Sequence, residues 1–464
     1  MTLIKSISGI RGTIGGESGQ NLTPPDIVGF ISAYASLLKR SNSKPLVVIG
    51  RDGRVSGQAL TAMVASTLAF CGIDVIDCGL STTPSVEMAV IKKGANGGII
   101  CTASHNPKQW NALKFLDEKG EFISAELGTR LVQIAENAQF EYAVIEDFGE
   151  ITDYPDSIAD HISAILEMET VDPDLIRSKN WTVVVDGINS TGSIAIPALM
   201  ARLGLECITI NGDDFGNFAH DPEPLPKHLH ELSKKVVASS AVLGIAVDPD
   251  VDRLVFISEN GQAFGEEYTL VAIADYYLQK YGSGTTVSNL SSSLALQDLT
   301  KKTGGNHYYA EVGEKHVVNE MKKRDALIGG EGNGGVIFPD LHYGRDAVAG
   351  VAVFLTFLAK KNMLPSELRN TYPVYHMGKD KINLPDRSIT PGILEFLKKE
   401  FPENEKDERD GLKIYFDQSW IHIRSSNTEP VLRIYTEAKT VQDARKLSEM
   451  ASEKITEFLK TINR

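Results

Sequence analysis

Apolar runs alternate with polar, glycine-containing loops along most of the chain, and one order of segments occurs three times. In its first occurrence "LVVIG" leads into the polar loop "RDGRVSG", the helical pattern "QALTAMVASTLAF" and a second apolar run, "IDVIDCG". The same order recurs from "WTVVVDGINSTG" to "LECITI" and, less cleanly, from "TTVSNLSSS" to "NHYYAEVG". Near-continuous β-branched runs joined by helices are typical of buried, mostly parallel strands. The pattern therefore predicts three similar α/β units.

The pattern changes in the last part of the chain. "GLKIYFDQSWIHIR" predicts a hairpin that turns at "DQS", with Ile421 and Ile423 on one face, and "VLRIYTEA" predicts a further strand before an amphipathic helix. We therefore expect an α/β protein in which three similar domains with mixed, mostly parallel sheets and a C-terminal α+β domain surround a central cleft. The predicted domains are residues 1–152, 153–257, 258–371 and 372–464.

Composition narrows the class of protein. A chain of 464 residues with 42% hydrophobic and 23% charged residues is typical of soluble multidomain proteins. The net charge of -14 argues against general binding to nucleic acid or a membrane surface, which needs a basic face. The four cysteines show no metal-type spacing, and no apolar run reaches the roughly 18 residues of a membrane span. These features predict a cytoplasmic protein with reduced thiols, either a monomer or a homodimer.

Each repeat supplies one further apolar strand that ends in an unusual loop. The three segments are "GGIICTASHNP", "AVLGIAVDPDVDR" and "ALIGGEGNGG". Ligands of α/β proteins bind at the carboxyl ends of strands, where a loop can vary without disturbing the sheet. Three loops at equivalent places predict one shared binding site.

The loop "DPDVDR" places Asp248, Asp250 and Asp252 directly after a buried strand. Three carboxylates on one tight turn repel one another unless a cation lies between them. Oxygen ligands of this kind suit a hard divalent ion, so we predict a site for one Mg²⁺ per chain. The alternative is a solvated acidic turn, which an Asp-x-Asp pair alone would favour.

The loop "TASHNP" raises the question of whether Ser104 is a nucleophile activated by His105. Adjacent residues rarely place a hydroxyl and an imidazole in that relation, and the chain contains no "GxSxG" motif. Since this loop is equivalent to the aspartate loop, we expect the Ser104 oxygen to reach the metal instead. That arrangement is typical of a phosphoryl carrier.

Two further loops carry groups suited to a sugar phosphate. In "GGEGNGG", Glu331 and Asn333 can hold adjacent hydroxyls, although a simple glycine-rich turn is the alternative. "RSSNTEP" offers a guanidinium followed by small donors, although such clusters also form capped turns. Predicted phosphate contacts in this loop are Arg424, Ser426, Asn427 and Thr428, and basic residues of other loops are Arg11, Lys114 and Arg253.

These four motifs, in this order, resemble those of the α-D-phosphohexomutase superfamily over essentially the whole chain. The resemblance implies that Ser104 carries a phosphoryl group, that Mg²⁺ is held by this group and the three aspartates, and that Arg253 pairs with the phosphate. It implies Lys114 as general base and His105 as a helper in proton transfer or orientation. Arg424 and its neighbours would anchor the second phosphate, while Glu331 and Asn333 hold the sugar ring. A hexose 1,6-bisphosphate would be both intermediate and activator.

The preferred hexose is predicted from details of the motifs. "SISGIRG" and "GGEGNGG" are similar to phosphoglucosamine mutases, whereas "SNTEP" is similar to phosphomannomutase/phosphoglucomutases. We expect glucosamine phosphate, with phosphomannomutase/phosphoglucomutase activity as the alternative. A phosphatase and a non-catalytic sugar-phosphate binder are the other classes. Three residues depart from the superfamily pattern: Pro249, Asn333 and Gly335.

Overall fold

The computed structural model describes residues 2–6, 9–40, 44–425 and 431–462. The chain divides into two compact units, each built from two segments. The first unit comprises Met1–Ile273 and Asn333–Arg369, and the second comprises Ala274–Gly332 and Asn370–Arg464.

A seven-stranded sheet forms the N-terminal part of the first unit. In spatial order its strands are Ile4–Ser6, Gly9–Thr13, Trp110–Leu116, Gly97–Cys101, Leu46–Arg51, Asp74–Leu80 and Ile151–Asp153. Parallel pairing joins Leu46–Arg51 to both of its neighbours, and Trp110–Leu116 runs antiparallel to Gly97–Cys101. The accompanying helices are Pro24–Lys39, Gly57–Phe70, Thr83–Lys93 and Ala125–Glu136. The central strands are buried on both faces, which explains their continuous apolar sequences.

A four-stranded sheet follows in the same unit. Its order is Leu254–Ser258, Leu243–Val247, Thr182–Asp186 and Glu206–Ile210, and only the first pair is antiparallel. The helices of this region are Ser157–Leu166, Pro173–Arg177, Gly192–Leu203 and His230–Ala238. The segment Asn333–Arg369 adds an antiparallel pair, Gly335–Phe338 and His342–Arg345, and the helices Ala347–Lys361 and Pro365–Arg369. The helix Glu266–Tyr281 begins in the first unit and ends in the second.

The second unit contains a parallel region and an antiparallel region. Strand Thr285–Asn289 pairs in parallel with Asn306–Ala310 and Ile328–Glu331, and the helices Leu294–Lys302 and Glu314–Arg324 accompany these strands. The antiparallel sheet has the order His376–Asn383, Val431–Ala438, Ser419–Ser425, Leu412–Phe416 and Lys406–Asp407. Its helices are Thr390–Glu400 and Val441–Ile462.

The predicted α/β class with a C-terminal antiparallel domain is confirmed. The hairpin turns at Asp417 and Gln418 as expected, and Ile421 and Ile423 are fully buried in the C-terminal core. The predicted segment 258–371 has residues in both compact units. The four domain boundaries stay a prediction.

Candidate active site

Ser104 lies in a loop that begins where strand Gly97–Cys101 ends. The serine has a φ of 49°, in the left-handed region that few residues other than glycine adopt. Its backbone N–H donates to Thr102 Oγ1 at 2.9 Å, and its hydroxyl donates to Asp248 Oδ2 at 2.6 Å. The hydroxyl is thus directed at the aspartate loop, as the sequence predicted.

The Arg54 side chain fixes the backbone of the Ser104 loop through hydrogen bonds. Its guanidinium donates to the backbone carbonyls of four residues that surround this loop: Ser104, Asn106, Pro107 and Trp110. The same group forms an ion pair with Asp52, at 3.0 Å between Nε and Oδ2, and both side chains are fully buried. Asp52 also accepts from the Thr102 hydroxyl at 2.7 Å. The Arg54 guanidinium is therefore fully engaged in holding this loop and its buried ion pair.

The three aspartates follow strand Leu243–Val247 and are fully buried. Asp248 Oδ1 accepts from the backbone N–H groups of Asp252 and Arg253, at 3.1 Å each, so this carboxylate closes the turn on itself. Val251 takes a φ of 62° in the same turn. The turn therefore presents all three carboxylates on one side, within 4.8 Å of one another.

Neighbouring loops brace the aspartate turn. The Thr83 hydroxyl donates to Asp250 Oδ2 at 2.7 Å, and its backbone N–H donates to the Asp250 carbonyl at 2.8 Å. The Pro249 carbonyl accepts from the hydroxyls of Ser190 and Thr191, at 2.6 and 2.8 Å. Because the loop is held through this carbonyl, proline at position 249 is tolerated although it has no N–H to donate.

Two basic side chains face the carboxylates. Lys114 Nζ lies 2.7 Å from Asp250 Oδ2 and 3.8 Å from Asp252 Oδ2. Arg345 Nη2 donates to Asp252 Oδ2 at 2.7 Å. A Cβ at Gly335 would lie 2.3 Å from Arg345 Cδ, so glycine at this position makes room for the arginine. The sequence reasoning missed Arg345, since nothing local in "HYGRDA" marks it.

The aspartate cluster fits the predicted divalent cation. Asp250 Oδ1 and Asp252 Oδ1 are buried, and neither accepts a hydrogen bond from any residue in the described part of the chain. A buried carboxylate oxygen without a donor is costly, and a cation removes that cost. Three hard oxygen donors on one turn suit Mg²⁺, which would also keep several waters.

The charged side chains of this cluster shift one another's pKa values. Burial, followed by repulsion from Asp252 and Asp250, raises the pKa of Asp248 well above its ordinary value. Burial also favours the neutral form of Asp250, but Lys114 and the Thr83 hydroxyl outweigh this effect and lower its pKa. Burial disfavours the charged form of Lys114, but the two carboxylates more than compensate and raise its pKa. In these contacts Lys114 is an ammonium group, and its role as general base stays a prediction.

The His105 imidazole makes a long contact with the Ser104 hydroxyl. Its Nδ1 is 3.3 Å from Ser104 Oγ, longer than the contact to Asp248. Burial and then the nearby cations Arg253 and Arg345 lower the pKa of His105 well below its ordinary value. The imidazole is therefore neutral at physiological pH, and its role as a helper in proton transfer or orientation stays a prediction.

Arg253 and Arg11 add positive charge to the same region. The Nη1 of Arg253 donates to Glu223 at 3.2 Å, while its buried Nε has no partner among the described residues. The expectation that Arg11 and Lys114 lie in loops is wrong, because they belong to the paired strands Gly9–Thr13 and Trp110–Leu116. Arg11 lies opposite Ala112, which precedes Lys114 by two residues. Alternate residues of a strand share a face, so Arg11 and Lys114 are on the same face of the sheet.

The remaining predicted ligands lie mostly in the second unit. Glu331 is buried, and its Oε1 accepts from Asn289 Nδ2 at 2.8 Å and from the Gly313 N–H at 3.2 Å. Arg424 Nε lies 3.0 Å from Asp410 Oδ2. Asn333, in the first unit, accepts from the Gly335 N–H at 3.2 Å. The other three predicted phosphate ligands lie outside the described residues: Ser426, Asn427 and Thr428.

Comparison with known proteins finds family matches along most of the chain. Four models described as phosphoglucomutase/phosphomannomutase match: alpha/beta/alpha domain I over residues 3–142, domain II over 159–261, domain III over 265–375 and the C-terminal domain over 386–454.

Individual relatives match over almost their full length. A phosphoglucomutase/phosphomannomutase of Thermococcus kodakarensis is 35% identical over 455 residues, which cover 97% of this chain and 99% of the relative. A probable phosphoglucosamine mutase of Methanopyrus kandleri is 32% identical over 95% of both chains. The crystal structure of a phosphoglucomutase/phosphomannomutase family protein from Burkholderia thailandensis superposes with a TM-score of 0.85 at 25% identity, covering 98% of this chain and 97% of the other.

The fold and the serine–aspartate cluster define a protein of the α-D-phosphohexomutase superfamily. Within it, the chain belongs to the phosphoglucomutase/phosphomannomutase family. Among the residues that the structure describes, no helix combines the length and the apolar character needed to cross a membrane.

Proposed function

We propose that this protein moves a phosphoryl group between the C6 and C1 oxygens of a hexose phosphate through a phosphoserine at Ser104. The observation that carries the proposal is the 2.6 Å contact of the Ser104 hydroxyl with Asp248, inside a cluster of three buried carboxylates. A serine held in this way can carry a phosphoryl group beside a divalent cation. Simple binding of a sugar phosphate would require neither the serine nor the three carboxylates.

The transfer has two balanced halves. In the first, the P–O bond to Ser104 Oγ breaks and this oxygen takes up a proton, while a bond forms to the free hydroxyl of the monophosphate and the proton of that hydroxyl passes to a base. The product is a hexose 1,6-bisphosphate. In the second half the other phosphoryl group returns to Ser104 Oγ, whose hydroxyl proton passes to a base, and the sugar oxygen released from phosphorus takes up a proton.

The residues around the serine suit these steps. Arg253 offers a phosphoryl oxygen its Nε, which has no hydrogen-bond partner within the described part of the chain, and neutral His105 lies within reach of the Ser104 oxygen that gains and loses the group. Lys114 supplies positive charge, and it can act as base only after it loses its proton. Mg²⁺ held by Asp248, Asp250 and Asp252 would neutralise charge on the transferring group.

Glucosamine phosphate is the proposed substrate, with C6 to C1 transfer as the net reaction. The resemblance of "SISGIRG" and "GGEGNGG" to phosphoglucosamine mutases supports it, as does the relative from Methanopyrus kandleri. The 35% identity to a phosphoglucomutase/phosphomannomutase of Thermococcus kodakarensis favours the alternative, activity on mannose and glucose phosphates. Glu331 and Asn333 would hold ring hydroxyls in either case.

Phosphopeptide mapping combined with turnover measurements tests the proposal. We expect phosphate on Ser104 and no measurable turnover by Ser104→Ala. Ser36→Ala is the matched control, because that helix hydroxyl donates only locally to the Ser32 carbonyl. Full activity of Ser104→Ala would disprove the phosphoserine route, and release of free phosphate in step with substrate loss would show a phosphatase.

Coupled assays on glucosamine, mannose and glucose phosphates identify the preferred substrate. We expect the highest kcat/KM for glucosamine 6-phosphate. Negligible turnover of this substrate, with efficient turnover of mannose or glucose phosphate, would establish the alternative.

A further inference from the structure

A second cluster of buried ionisable side chains lies in the first unit and has no part in the chemistry proposed above. It contains Glu87, His161, His342 and Asp346, each at most 4% exposed. Glu87 comes from helix Thr83–Lys93 and His161 from helix Ser157–Leu166. His342 begins strand His342–Arg345, and Asp346 follows its last residue. The cluster thus joins three of the predicted domains.

The donor atoms of this cluster converge on one point. Asp346 Oδ2 lies 2.8 Å from His161 Nε2 and 3.2 Å from His342 Nε2, and the three atoms all lie within 4.8 Å of one another. Two imidazole nitrogens and one carboxylate oxygen are a common ligand set for Zn²⁺ and similar ions, which bind them at about 2.0–2.2 Å. Small shifts of the side chains would therefore admit an ion.

Each of these three side chains has a further contact through its other ring nitrogen or carboxylate oxygen. His161 Nδ1 lies 3.0 Å from Ser85 Oγ, and His342 Nδ1 lies 3.3 Å from Glu87 Oε2. Asp346 Oδ1 accepts from the Ala349 N–H at 2.9 Å, which fixes the carboxylate at the start of a helix. Metal-binding histidines characteristically use their second ring nitrogen in this way.

The backbone at Gly344 makes room for the Glu87 carboxylate. A Cβ at Gly344 would lie 1.9 Å from Glu87 Oε2, so only glycine allows Glu87 to approach His342. A cavity of about 180 Å³ reaches the cluster at His161 and is also lined by polar groups, among them Lys92, Ser157 and Asp160. Among the three proposed ligands the cavity lining includes His161, so the cavity approaches the cluster from the side of helix Ser157–Leu166.

We propose that His161, His342 and Asp346 form a site for a divalent transition-metal ion such as Zn²⁺, separate from the Mg²⁺ site of the aspartate turn. The ligand types separate the two sites, since imidazole favours Zn²⁺ whereas an all-oxygen set favours Mg²⁺. An ion bound here would tie helix Ser157–Leu166, through His161, to the strand His342–Arg345 and the residue that follows it. Its role would be structural, since all three protein ligands are buried.

The competing description is an ion network without metal. Burial disfavours the charged form of His342, but its hydrogen bond to Asp346 and the adjacent Glu87 carboxylate more than compensate and raise its pKa to about 10. In that state an imidazolium lies between two carboxylates. This state and a bound ion are mutually exclusive at His342, so metal content distinguishes them.

The test is metal counting on the full chain. The protein is freed of metal with a chelator, dialysed against ZnCl₂ with excess MgCl₂, then against MgCl₂ alone, and its zinc is measured by mass spectrometry. We expect one retained zinc per chain, also in Asp248→Asn, and none in His161→Ala or Asp346→Asn. His220→Ala is the matched control, because His220 also contacts an aspartate, Asp186, but as a single pair.

Anomalous X-ray scattering at the zinc edge gives a second readout that needs no substitution. Zinc density between His161 and His342 in the unaltered protein supports the proposal even where a variant fails to fold. Three results would overturn it: no retained zinc in the unaltered protein, loss of zinc in Asp248→Asn alone, or zinc located at a cysteine or at the aspartate turn. The first of these would identify the cluster as an ion network.

Discussion

Replacing Arg54 by alanine is expected to disable the Ser104 loop. The substitution leaves Asp52 as an uncompensated buried charge and removes the N–H groups that hold the backbone carbonyls of the loop. Loss of one partner of a buried pair costs about 3–5 kcal/mol. That cost is a large part of the roughly 5–15 kcal/mol that stabilises a typical protein.

The loss of stability in Arg54→Ala is expected to appear first as local disorder of the Ser104 loop, because Pro107 and its neighbours are exposed to solvent. Ser104 would then leave the position in which its hydroxyl contacts Asp248. A misplacement of about 1 Å can reduce a rate on the order of 100-fold. We therefore expect kcat to fall by at least that factor, with a smaller change in KM.

Steady-state kinetics, phosphoserine content and thermal unfolding should be measured for Arg54→Ala and for the control Arg51→Ala. Arg51 ends the strand that leads into the loop of Arg54, and within the described residues the hydrogen bond given for its side chain is a long contact of 3.3 Å to the Asp52 carbonyl. The control should change stability by no more than about 0.5 kcal/mol. The reasoning is wrong if Arg54→Ala keeps the kcat and phosphoserine content of the unaltered protein.

Three further predictions follow from the geometry. Gly335→Ala should displace Arg345 from Asp252 and lower kcat in the mutase assay; unchanged kinetics would show that the arginine is dispensable. Mg²⁺ at about 100 times its Kd should stabilise the protein by about 2.7 kcal/mol in thermal unfolding, and an equal gain in Asp250→Asn would place the ion elsewhere. Burial, followed by Lys413 and Lys301, lowers the pKa of His307 from 6.5 to about 3. The contribution of neutral His307 to the free energy of unfolding should therefore be complete above about pH 6.5 and decline as the pH falls towards 3. The free energy of unfolding of His307→Gln should depend less on pH over that range.

The sequence was sufficient to predict the buried, mostly parallel strands and the final hairpin, but it placed Arg11 and Lys114 in loops although both lie in strands. It also led us to expect Ser104 near the aspartate turn. These predictions depend on local signals: continuous apolar runs mark buried strands, and polar loops at their carboxyl ends meet at one edge. The specific loops were therefore identifiable from one sequence without any alignment.

Other parts of the site could not be predicted, because they depend on contacts between distant segments. Thr83 braces Asp250 from 167 positions away, and Arg345 reaches Asp252 from 93 positions away. The histidine cluster shows the same difficulty, since His161 and Asp346 are 185 positions apart and belong to no recognisable motif. Only the folded chain brings such residues together.

The long separations within the active site also affect how the protein is made. Ser104 leaves the ribosome 144 residues before Asp248, and Arg345 follows a further 93 residues after Asp252. At about 5–20 residues per second, each of these intervals lasts roughly 5–30 s. During synthesis the aspartate turn therefore exists for several seconds without the arginine that balances it. A nascent chain that has not reached Arg345 should gain most from Mg²⁺, and the ion would then assist assembly as well as catalysis.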